Sequence, residues 1–209
     1  MARPKLLIWI IASFCAAFFL AACVLGIAGT GKKGIDAALA ATGRLSFLLF
    51  WPAYTGSALV TLFGPSFQPI RRNGREFGLA FASAHLVHLG LVGWLCAIGA
   101  APGAGVFVLF GVAAFSLYLL AALSVPAVVV KLAPRDWRLL RLVTMTYIAY
   151  AFAVDFLTPA QVAGIKHTLA YLPFSALVIA GFLLRLAAFA AQTRTEPIST
   201  ARLRGVSGS

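Results

Sequence analysis

Two histidines three residues apart, His85 and His88, sit inside one long apolar run. An imidazole offers a lone pair and a titratable proton, so its chemistry is metal ligation or proton transfer. A bilayer penalises polar side chains, and one retained inside an apolar span marks a functional site by default. Residues three apart share a helix face, so this pair cannot ligate one haem iron, the leading candidate for their partner, from both sides. A second helix must supply the other ligand. The third histidine, His167, opens a later apolar run, and Asp155 is the one carboxylate that falls inside a span. Asp155 lies 17 residues past Arg138, roughly 26 Å along a helix. That distance brings it within reach of His88 on an adjacent helix, and a buried His–Asp hydrogen bond is expected there.

The rest of the chain must position these groups in lipid. Of 209 residues, 62% are hydrophobic and 11% charged, and the mean hydropathy is +0.97. A soluble domain carries about a quarter charged residues, so the composition describes a polytopic membrane protein. The net charge of +12 does not indicate nucleic-acid binding, because the basic residues form short clusters between apolar runs and no aromatic-basic platform accompanies them.

Six apolar segments reach roughly 20 residues, the length that crosses about 30 Å of hydrocarbon. They are residues 6–28, 43–64, 77–100, 105–130, 139–158 and 168–191. Backbone in lipid must satisfy its own hydrogen bonds, which predicts helices and an all-α bundle. Gly29-Thr30-Gly31, Gly64-Pro65, Ala101-Pro102-Gly103, Ala133-Pro134 and Thr158-Pro159 punctuate the segments. Pro52, Pro126 and Pro173 fall inside spans and are expected to bend them.

Arg3 and Lys5, Arg71 to Arg75, Lys131 to Arg141, and Arg185 to Arg204 collect on one side, against Lys32, Lys33, Arg44 and Lys166 on the other. The positive-inside rule then puts both termini in the cytoplasm. The transmembrane domain is expected over 1–192, with a disordered cytoplasmic tail over 193–209. Leu20-Ala21-Ala22-Cys23 resembles a lipoprotein cleavage box, but the apolar run continues beyond it, so residues 5–28 read as a retained span. Cys15, Cys23 and Cys96 form no pairing motif and read as small apolar residues. Arg185 is expected to snorkel to the cytoplasmic surface. The tyrosines read as packing or interface residues, and Trp9, Trp51, Trp94 and Trp137 as interface anchors.

Arg71-Arg72, then Gly78-Leu79, then small residues leading to His88 form a pattern that resembles the third helix of the ferric reductase-like transmembrane domain family. Thr42-Gly43 and Trp137-Arg138-Leu139-Leu140-Arg141-Leu142 extend the resemblance over about residues 41–160. Within the family it is nearest to the short bacterial haem-binding membrane subunits. The resemblance implies haem b, with His88 as an iron ligand by its spacing from Gly78. It further implies electron transfer across a bacterial inner membrane, from a cytoplasmic flavoprotein or quinol to a partner protein on the non-cytoplasmic side. The family's fifth helix carries two histidines. Here Leu140 or Arg141, and Val154 or Asp155, stand in their places. The second axial ligand is therefore unassigned, with His85 and His167 as candidates. Two other readings stay open. One is a cofactor-less membrane partner or scaffold of the same fold; the other is a small transporter with Asp155, His85 and His88 as a proton-linked site.

Overall fold

The computed structural model describes residues 4–124, 133–162 and 165–195. Seven α-helices account for nearly all of them, and no strand occurs among the described residues. They are α1 (Pro4–Ala28), α2 (Lys32–Phe63), α3 (Gln68–Arg72), α4 (Gly74–Ala97), α5 (Ala104–Ser124), α6 (Pro134–Val162) and α7 (Ile165–Thr195). All but the short α3 are long and apolar enough to cross a membrane, giving 6 spans. The chain is thus an all-α, multi-pass bundle.

Most breakers act where the sequence puts them, but Thr158-Pro159 does not end its span, since α6 runs on to Val162. Gly29 (φ 83°) and Gly64 (φ 86°) end α1 and α2 in the left-handed region that a side chain disfavours. Each still donates its N–H back into its helix, to Leu25 and Val60 respectively. Pro52 and Pro173 lie inside α2 and α7, as expected. Pro126 and the tail beyond residue 195 lie outside the described residues.

The largest departure from expectation is the start of α2. The second span was expected to open at Thr42-Gly43, yet α2 begins at Lys32. Lys32, Lys33 and Asp36 depress local hydropathy, but the stretch is rich in the strong helix former alanine. Lys32 pairs with Asp36 one turn on, at 2.6 Å. Ile35 and Ala38 bury against Ala21, Leu91 and Leu95 of α1 and α4. Thr42 and Gly43 therefore sit well inside a helix.

Helix α2 is the axis of the bundle. It packs on α1, α4 and α7 and touches α6; α6 packs on α5 and α7, and α5 returns lightly to α4. Five helices thus close a ring, with α1 outside it. The ring is cemented by aromatic edges, notably Phe47 against Phe152 and Phe156 with centroids 5.2 and 5.0 Å apart. Large apolar side chains face outward, Phe19 and Phe115 being 71% and 70% exposed. Hydrocarbon, not water, suits such a surface. Lys5 donates to Asn73, and Gln192 to Thr61. Both described ends therefore meet at one end of the bundle, the arginine-rich one.

Candidate functional site

A cavity of about 370 Å³ opens inside the ring, bordered by His85 and His88 of α4, Gly43 of α2, Gly111 of α5, Asp155 of α6 and Tyr171 of α7. Five helices therefore contribute to a single chamber. Its volume falls within the range of small-molecule sites, about 300–1,000 Å³. The walls are mainly apolar.

The histidine pair is held as its spacing requires. The two rings stack with centroids 4.9 Å apart and planes 15° from parallel. His88 Nδ1 lies 3.1 Å from Thr42 Oγ1. Thr42 has one hydroxyl hydrogen, and its own helix takes it, since the Ala38 carbonyl lies 2.8 Å away. Turned that way, the Thr42 oxygen accepts from His88 in the tautomer that carries its proton on Nδ1 and its lone pair on Nε2. The Leu39 carbonyl, 3.2 Å from the Thr42 hydroxyl, adds a second acceptor beside the ring. Glycine at 43 lets the ring approach: a Cβ there would meet His88 Cε1 at 3.5 Å. His85 packs on Phe81 at 5.6 Å, and its buried Nδ1 has no partner.

Across the chamber, the exposed area of Asp155 belongs to the cavity wall. The expected His88–Asp155 hydrogen bond is not made: the Nδ1 of His88 goes to Thr42, and Asp155 bonds to no described side chain. The nearer partner is Thr42, brought beside the ring by the packing of α2 on α4. Arg44 supplies positive charge within range of Asp155. Its guanidinium lies 4.7 Å over Tyr171 and 5.5 Å over Phe174, and its buried Nε is unpartnered. His167 occupies the first turn of α7, where only the backbone is described.

Two further expectations are corrected. Arg185 does not snorkel; it donates to the Tyr54 carbonyl at 3.1 Å and stacks 4.6 Å over the Tyr54 ring. Trp51 is not an interface anchor, because its indole donates to the Leu177 carbonyl at 2.8 Å and joins α2 to α7. Tyr118 and Tyr147 pack as expected, donating to the carbonyls of Ala82 and Leu109. Thr42 and Arg44 are the site residues that sequence reading missed. Their signal was present, as polar side chains placed one turn and less from a glycine in an alanine-rich run.

Among the described residues no group of three histidine, cysteine or carboxylate side chains could cage a bare metal ion. The chamber instead offers one oriented nitrogen lone pair, a facing carboxyl and a nearby cation. Comparison with protein-family models, with curated proteins and with solved structures finds no match to this chain.

Proposed function

We propose that the chain is the membrane subunit of an electron-transfer system, of the ferric reductase-like kind, which holds haem b in the chamber between α2, α4, α5 and α6. The observation that carries this reading is the place of His88 on the chamber wall, with its Nδ1 3.1 Å from the Thr42 hydroxyl. In the Nδ1–H tautomer that contact holds the ring and leaves the Nε2 lone pair for a ligand. Haem ligation by histidine needs that arrangement, with a hydrogen bond on one ring nitrogen orienting the other.

Of the residues present, His88 would hold the group. Gly111 adds to this, since a Cβ there would meet nothing within 4 Å, which leaves room for a flat ring. Arg44 is a cation near the chamber that suits haem's carboxylates. Facing His88, α6 offers Asp155 and no histidine, so the group would be held by one protein nitrogen. When bound, haem b supplies one-electron transfer at a potential set by its ligand and surroundings. Phe81, Phe152 and Phe156 give the chamber apolar walls, and Asp155 can hold or release a proton at its carboxyl. The arginine-rich end faces the cytoplasm of a bacterium on this reading, and electrons enter there from a flavoprotein or quinol.

The test is an absorption spectrum of the protein purified in detergent after expression with a haem precursor. A Soret band is expected, and His88→Ala should abolish it while Arg194→Ala leaves it intact. A colourless protein that also takes up no added haemin would sink the reading. Asp155 on the opposing wall favours the second reading in that event, a cofactor-less membrane partner or a proton-linked transporter built on the same bundle.

A further inference from the structure

A second cavity, about 380 Å³, lies at the arginine-rich end between α4, α5 and α6. Arg75 and Arg141 border it, and its other walls include Leu79, Leu120, Trp137 and Met145. Arg141 stands seven residues inside α6, roughly 10 Å from the helix start. Its guanidinium reaches across to α4, 3.8 Å from where a Cβ on Gly74 would lie. Arg185 is close enough to Arg141 for the two like charges to repel.

No carboxylate answers these arginines. The only ion pair among the described residues, Lys32–Asp36, lies at the other end of the bundle. Asp155 faces the other cavity. Glu76 shares its face of α4 with Ala80 and with Ser83, whose hydroxyl donates to Ile10 of α1, so that face turns from the cavity. Asp136 precedes Arg141 by five positions and occupies a different face of α6. Residues 125–132 include no acidic residue. Arg75 donates to the Ser124 carbonyl, which uses one of its five N–H groups and neutralises nothing.

We propose that this cavity binds the phosphate headgroup of an anionic phospholipid, held by Arg75 and Arg141, with an acyl chain along the apolar walls. The chemistry is that of a lipid phosphodiester whose negative charge no cation of its own headgroup cancels. Guanidinium groups bind phosphate through paired N–H donors, and leucine, tryptophan and methionine walls suit an acyl chain and not water. The light packing of α5 on α4 leaves that seam open to lipid. The site shares Phe81 and Leu117 with the wall of the histidine chamber, but its arginines do not border that chamber and it is independent of the haem reading.

The full-length protein in detergent supplies the test, by thermal denaturation and native mass spectrometry with phosphatidylglycerol, phosphatidylcholine or inorganic phosphate added. Phosphatidylglycerol should raise the melting temperature and remain bound, while phosphatidylcholine and phosphate should do neither. Arg75→Gln and Arg141→Gln should each weaken phosphatidylglycerol binding about fivefold. Arg194→Gln, at the end of α7 and outside the cavity, should bind as the parent does, and Arg141→Lys should retain most of the affinity. Should Arg141→Gln fail to fold, Arg75→Gln decides alone. Equal effects of the two lipids, an equal effect of free phosphate, or unchanged binding in Arg75→Gln would overturn the proposal.

Discussion

A threonine inside a helix has one hydrogen to give, and Thr42 gives it to its own backbone. His88 is then expected to donate from Nδ1 and to keep its lone pair on Nε2. Thr42→Val removes the acceptor while keeping the shape. A buried N–H without a partner costs about 1–3 kcal/mol, so the variant should lose stability on that order in detergent. Nitrogen NMR of histidine-labelled protein should show the Nδ1–H form depleted at His88, and Thr42→Ser should restore it. An unchanged tautomer would mean that Thr42 does not orient the ring. The histidines and Asp155 were legible because polar side chains stand out in an apolar run. The Thr42 partnership was not, since a threonine near a glycine is common, and only the register of α2 against α4 brings it to His88. The same register explains why Asp155 is left facing the cavity instead of bonding.

At the scale of elements, close approach is set by small residues. Gly181 of α7 faces α2 so tightly that a Cβ would meet Trp51 Nε1 at 3.3 Å and the Tyr54 ring at 3.5 Å. Gly26 of α1 meets nothing within 4 Å. Gly181→Leu must push α7 away from α2 and strain the Trp51–Leu177 hydrogen bond. Overpacking of this kind costs about 1–3 kcal/mol, and the melting temperature in detergent should fall. Gly26→Leu adds a side chain toward lipid and should change it little; equal losses in both would contradict the packing described. The six spans could be read directly from hydropathy, because membrane length and breakers agree. The first three turns of α2 could not, since Lys32, Lys33 and Asp36 hide a helix whose other face buries Ile35 and Ala38. That hidden stretch carries Leu39 and Ala40 to the chamber, so an error in one boundary concealed one of its walls.

For the molecule as a whole, charge and connectivity make a joint statement. Six crossings return the chain to the side where it begins, and contacts such as Lys5 to Asn73 gather the arginine-rich loops at that end. Lys and Arg are retained on the cytoplasmic side during insertion, so the turn at Ser66 should face inward and the turn at Gly103 outward. A membrane-impermeant maleimide on intact cells tests this. Cys15, Cys23 and Cys96 are first replaced by alanine, a mild change for the two that are exposed on the lipid-facing helix α1. Gly103→Cys should then label from outside, and Ser66→Cys only after the membrane is opened. The reverse pattern would invert the molecule and put the arginine-lined cavity in the outer leaflet. It would also bring the mouth of the histidine chamber, at Asp36, to the cytoplasm. On the electron-transfer or the proton-linked reading, the side of entry follows from that one labelling pattern, because each cavity lies nearer one end of the bundle.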